Sequence, residues 1–183
     1  MRKKITRCLT ALFLCALISI VFWSWIFTLL TDTARPNKIT IFADTDALNG
    51  KALSIALEET PPEGIRIIQA HAFSYALMDS SALENADLFL LPESSLAERQ
   101  GWLAPLPEDF AADHSRWAPN SLPLALQIEI TPTARAYGIG TDPSSERWYL
   151  AFGKGGFHLR TLENGMDDAA LIVAARLLAL FEN

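Results

Sequence analysis

Residues Cys8 to Leu30 contain no charged side chain, and Arg2, Lys3, Lys4 and Arg7 stand just before them. A stretch of about 23 residues is ~35 Å long as an α-helix, enough to cross a hydrocarbon core of about 30 Å. Lipid offers no water to backbone N–H and C=O groups, so a lone span has to be helical. The cationic flank is expected to stay on the cytoplasmic side, which sends the chain after Leu30 outward. Trp23 and Trp25 fall in the outer part of the run, where indole rings favour the interface. The expected location is the cell membrane, crossed once, with the C-terminal part extracytoplasmic. A cleaved leader has a shorter apolar core of ~7–15 residues, and a cut after Ala34 would put Asp32 where a small neutral residue is wanted. Leu12-Phe13-Leu14 before Cys15 lacks the small residue found next to a lipidated cysteine. A retained anchor is the expectation.

The chain then divides into a basic stub and anchor (1–30), a polar juncture (31–37) and one domain (38–183). The last is large enough to bury a core without staples. All 21 acidic residues and 11 of the 15 basic ones lie beyond Leu30, an excess of ten negative charges. That balance suits an exposed, soluble surface and is a poor match to nucleic acid, so no nucleic-acid partner is expected. Both cysteines, Cys8 and Cys15, belong to the apolar run. A disulfide scaffold, thiolate zinc sites and cysteine nucleophiles are therefore excluded from the domain. No Gly-x-Ser-x-Gly elbow, His-Glu-x-x-His pair or Walker-type loop occurs. Neither a cofactor nor a metal is expected, and the partners implied are the membrane, other surface proteins and a small polar ligand.

Alternation and punctuation predict an α/β domain with a mainly parallel sheet. Lys38–Ala43 is β-rich, and a helix is expected from Ala47 to Glu59, stopped by Pro61-Pro62. Ile65–Ile68 reads as a second strand, followed by a short helix running to Met78. Asp87–Leu91 is continuously apolar, as suits a strand covered on both faces. Leu124, Leu126, Ile128 and Ile130 alternate with Ala125, Gln127 and Glu129, the pattern of a strand with one buried face. Arg147–Phe152 and Phe157–Arg160 flank Gly153-Lys-Gly-Gly156 and predict an antiparallel hairpin. A closing helix is expected from Met166 to Phe181, with Asp167 and Asp168 in its first turn. Trp102, Trp117 and Trp148 are expected to pack in the core or at its rim before serving as a sugar-stacking platform.

Ligands of open α/β sheets sit beyond the carboxyl ends of the strands. The residues there are Asp44, Thr45 and Asp46, then His71, Ser74 and Tyr75, then Glu93, Ser94 and Ser95. Asp and Ser at such junctions also serve as helix caps, and His71 reads first as a surface histidine. The phrase Ala86-Asp-Leu-Phe-Leu-Leu-Pro-Glu-Ser-Ser95 with Gly101-Trp-Leu-Ala-Pro-Leu106 resembles the N-terminal lobe of extracellular solute-binding proteins, the sugar-type partners of ABC importers. Lys38–Asp46 is similar to that family's opening strand, and Tyr137-Gly138-Ile139 to its return toward a hinge. The resemblance implies a non-enzymatic ligand- or partner-binding domain with Asp44, Asp46, Glu93 and Ser94 as ligand contacts. It covers one lobe where that family has two, and a membrane span replaces the expected lipidated cysteine. A segment at Asp113–Pro123 could plug the half-site left open.

Ile39-Thr-Ile-Phe-Ala-Asp44-Thr-Asp46 also resembles the first motif of haloacid dehalogenase-like phosphatases. That alternative implies Asp44 as nucleophile, Asp46 as general acid/base and Mg²⁺ as charge neutraliser. Lys154 and the Asp167-Asp168 pair would have to supply its later motifs.

Overall fold

The computed structural model describes residues 13–26, 34–73, 81–114, 124–141 and 146–182. They fall into two compact units, Met1–Ala34 and Arg35–Asn183. In the first, residues 13–26 form a helix (α1) whose side chains are exposed from 13 to 25. Phe13, Ile18, Ile20, Val21, Trp23 and Trp25 are each more than 60 % exposed, so the helix is apolar around its whole circumference. The rest of the Cys8–Leu30 run lies outside the described residues. Among the described residues, no helix is long and apolar enough to cross a membrane.

The second unit is an α/β fold around a five-stranded mixed sheet in the order β2-β1-β3-β5-β4. Strands β1 (Lys38–Ala43), β2 (Ile67–Ala72) and β3 (Leu88–Pro92) run parallel, with Ile41 opposite Leu88 and Phe42 opposite both His71 and Phe89. Strand β5 (Trp148–Phe152) lies antiparallel between β3 and β4 (Ala125–Ile128), pairing Leu88 with Phe152 and Ile128 with Trp148. The sheet is thus less parallel than the sequence predicts, although four of its five strands point one way.

The two-residue period of the strands sorts the core into two clusters. Ile39, Ile41, Leu88, Leu90, Leu150 and Phe152 face one side. They meet α2 (Gly50–Glu58) through Leu53 and Leu57, α5 (Glu108–Asp113) through Phe110, and α7 (Ala169–Glu182) through Val173, Leu177 and Phe181. Phe42, Phe89, Leu91, Tyr149 and Ala151 face the other side and meet Leu83 of α3 (Ser81–Glu84) and Leu96 of α4 (Glu93–Leu96). Strands β1, β3 and β5 are covered on both faces because nearly every position is apolar, Thr40 of β1 being a polar exception that is still buried. Strand β2 is an edge, yet two of its outward N–H groups are bonded. Ile68 donates to Glu58 Oε1 at 2.9 Å and Ala70 to Ser54 Oγ at 3.0 Å, so α2 shields that edge.

Several boundaries differ from the sequence expectation for local reasons. Helix α2 starts at Gly50 rather than Ala47, because Asn49 is its cap and accepts from Ala52 N at 3.2 Å. Strand β2 begins two residues late and continues through His71, because its pairing with β1 outlasts its apolar run. The helix expected after it falls largely outside the described residues, as do Ser74, Tyr75, Trp117 and most of the Asp113–Pro123 segment. Ala125 is fully buried against the Phe89 cluster, so β4 has both faces covered rather than one. The hairpin after β5 does not form. Asp87 accepts the N–H groups of Phe157 (3.0 Å) and His158 (3.3 Å), so this stretch is tied to the start of β3 and β5 pairs elsewhere. Helix α7 starts at Ala169, and Asp167 caps it from outside by accepting Ala169 N at 2.9 Å. Finally, Arg35–Asn37 is a 3-10 turn belonging to the domain, where Asn37 O accepts Arg66 N at 2.8 Å.

Candidate functional site

The carboxyl ends of β1 and β3 meet a crevice of about 580 Å³. Asp44, Thr45 and Asp46 supply one wall, Ser94 and Ser95 a second, and Thr141, Glu146 and Trp148 a third. Each wall has a backbone cause. Asp44 N donates to Leu90 O at 2.9 Å, which holds the end of β1 against β3. Thr45 Oγ1 accepts from Ala47 N and donates to Gly138 O, both at 3.2 Å, folding the next turn toward the loop after α6 (Pro132–Ala136). The antiparallel pairing of Pro92 with Trp148 delivers Glu146 to α4, where its carboxylate accepts Ser94 N at 2.5 Å.

The four residues expected to contact ligand do not share one fate. Asp44, Asp46 and Ser94 line the crevice. Glu93 lies off it, half exposed, and pairs with Arg147 at 3.3 Å. Asp44 is not a free carboxylate: Arg99 Nη2 lies 2.8 Å from its Oδ2, with both side chains largely buried. The Arg99 guanidinium stacks 3.8 Å from the centre of the Phe73 ring and 5.8 Å from that of Trp102. Those two rings are themselves stacked, 6.1 Å apart. Arg99 is therefore a positioning group for Asp44, held flat by aromatic faces. His71 sits on the sheet edge with its ring 5.5 Å from Phe42, away from the crevice lining. Burial, and then the charge of Lys38, push its titration below the ordinary 6.5.

Arg99→Ala is expected to destabilise the domain by about 2–3 kcal/mol, since it strips the stack and leaves Asp44 without its cation. Arg99→Lys restores the charge but not the planar stack, and is expected to recover less than half of that loss. Urea unfolding followed by tryptophan fluorescence measures both.

Glu146, Thr141 and Arg99 are not among the site residues expected from the sequence, and Trp148 is expected there as core or rim packing before a sugar-stacking platform. No local pattern marks Glu146 or Arg99, because their partners Ser94 and Asp44 lie 52 and 55 positions away. Conversely, the residues needed for phosphatase chemistry are kept apart. Asp167 lies beside His158, whose ring touches Lys38 O at the opposite end of β1 from Asp44. Lys154 follows the Phe152 end of β5, which pairs with the start of β3. Among the described residues, no group of three His, Cys, Asp or Glu is placed to hold a metal ion. No protein-family model, curated protein or solved structure matches this chain.

Proposed function

We propose that the chain is a single-pass membrane protein whose exterior α/β domain binds a small polar ligand or a partner's polar segment at the crevice, without catalysis. The observation that carries this reading is α1, which exposes apolar side chains on every side. Such a helix is stable only where something apolar surrounds it, and the basic residues ahead of it suit a lipid span entered from the cytoplasm. The crevice lies at the far end of β1 from Arg35, where the chain enters the domain. Among the described residues, its lining carries carboxylates and hydroxyls and no basic side chain. That chemistry suits a hydroxylated ligand bearing an amine. Facing water on one side, it favours weak, fast-exchanging binding over tight capture.

Protease added to intact cells is expected to remove the C-terminal domain. If the domain survives until the cells are permeabilised, the orientation is reversed and the exterior role is lost. Ligand binding is read separately by calorimetry of the full-length protein in mild detergent with amino sugars, neutral sugars and amino acids. Heat that depends on the amine and is lost in Asp46→Asn supports the crevice, whereas silence across the panel leaves only the partner-binding version.

A further inference from the structure

We propose that His158 is a proton-operated tie between the first residues of the domain and the head of α7. Its ring is fully buried. Nδ1 lies 3.0 and 3.2 Å from the two carboxylate oxygens of Asp167. Nε2 lies 3.3 Å from Arg35 O and 3.2 Å from Lys38 O. All four neighbours are acceptors, and none has a hydrogen to give. An imidazole with one hydrogen satisfies one side only, and its bare nitrogen then points a lone pair at oxygen. With two hydrogens the ring bonds on both sides, and the contact to Asp167 becomes charge-assisted.

The surrounding charges favour that arrangement. Asp87, ahead of β3, accepts His158 N through Oδ1, and Asp167, ahead of α7, faces the ring directly. The cations nearby are drawn elsewhere. The Arg35 guanidinium lies over the Phe157 ring at 5.8 Å, and Arg160 pairs with Asp168 at 3.4 Å. Lys38, at the start of β1, contributes its carbonyl to the ring and carries a positive side chain of its own. Removing one proton from the ring breaks one of two ties; the anionic Asp167 is the stronger acceptor and keeps its Nδ1–H, so the tie lost is the one to the Arg35–Lys38 segment. The segment concerned is where the chain arrives from the preceding unit. Acid conditions hold it to the domain and alkaline conditions loosen it.

The test uses the full-length chain in mild detergent, with ¹⁵N-labelled histidine and amide hydrogen exchange. Histidine ¹⁵N shifts across the pH range report where the His158 ring carries two hydrogens and where it carries one, and exchange is compared between those two conditions. After correction for intrinsic rates, the amides of Asn37, Lys38 and Arg66 are expected to exchange about tenfold faster at the higher pH, the effect of losing one charge-assisted bond. Asp167→Asn is the discriminating variant. Its oxygen can keep the bond from Ala169 N, and its NH₂, in place of Oδ2, can donate to a neutral Nδ1 while Nε2–H stays on the carbonyls. Protection at the higher pH is then expected to match that at the lower. Equal corrected exchange at both pH values in the native chain, or the same acceleration in Asp167→Asn, overturns the proposal.

Discussion

Asp87→Ala is expected to destabilise the domain by about 3–5 kcal/mol, a large share of the 5–15 kcal/mol available to a domain of this size. Asp87 is 3 % exposed, and its carboxylate is the acceptor for three backbone donors. Oδ2 takes Thr40 N at 2.9 Å, while Oδ1 takes Phe157 N and His158 N. One side chain thus joins β1, β3 and the stretch before α7, and alanine leaves all three N–H groups buried without acceptors. Asp87→Asn is the finer probe. Its oxygen can keep Phe157 and His158, but its NH₂ then meets the Thr40 N–H, donor against donor, at an expected cost of about 2 kcal/mol.

The same group carries a pH dependence of definite sign. Burial raises the Asp87 carboxyl above its ordinary 3.8, against the opposing pull of Thr40 N–H, His158 and the other two backbone donors. Between the unfolded and folded titrations, the folded state binds the proton more readily. The contribution of Asp87 to stability is therefore complete below 3.8 and declines as pH rises through the raised folded value. Urea midpoints across the acid range, native against Asp87→Asn, are expected to show this falling component in the native chain and its absence in the variant. A native profile parallel to that of the variant contradicts it.

Gly138→Ala is expected to cost about 3 kcal/mol or more and to disturb the crevice as well. Gly138 follows α6 at φ +86°, where its N–H bonds Arg135 O at 2.9 Å and closes the helix end. A side chain there costs about 1–2 kcal/mol from the left-handed backbone alone. In addition, an added Cβ would lie 2.0 Å from Ala47 O, so the turn carrying Thr45 to Asn49 has to move. That turn is held by Thr45 Oγ1 on Gly138 O and by Asn49 N on Tyr137 O at 2.9 Å. Gly64 supplies the control: its φ is +83°, yet nothing lies within 4 Å of an added Cβ. Gly64→Ala is therefore expected to show the backbone cost alone, about 1 kcal/mol. Equal effects of the two substitutions on the urea midpoint would falsify the close-approach argument. Loss of amine-dependent heat in Gly138→Ala, with none in Gly64→Ala, ties the contact to the site.

How far the fold was legible depended on how local its causes are. Strands β1 and β3 and most of α7 were read nearly in place, because their apolar runs report burial position by position. The ends of elements were missed where a distant partner sets them. Asn49 caps α2 with help from Tyr137, and β2 runs on because β1 continues beside it. The candidate site divides the same way. Asp44, Asp46 and Ser94 were found because strand ends are predictable, whereas Glu146 reaches Ser94 across 52 positions. Asp87 stood out only as the residue before an apolar strand, with no sign of the three donors it gathers.

The sequence by itself determined an uncharged, apolar leading segment, a cysteine-free acidic domain, and the identity of its central strands. These follow from solvent transfer and short-range periodicity, which act on neighbouring residues. Tertiary structure alone decided where β5 inserts, that Arg99 occupies Asp44, and that His158 meets only acceptors. The last two depend on partners far apart in the chain, 55 positions for Arg99 and Asp44, and 120 and 123 for His158 and the carbonyls of Lys38 and Arg35, which the folded sheet brings within 3.3 Å.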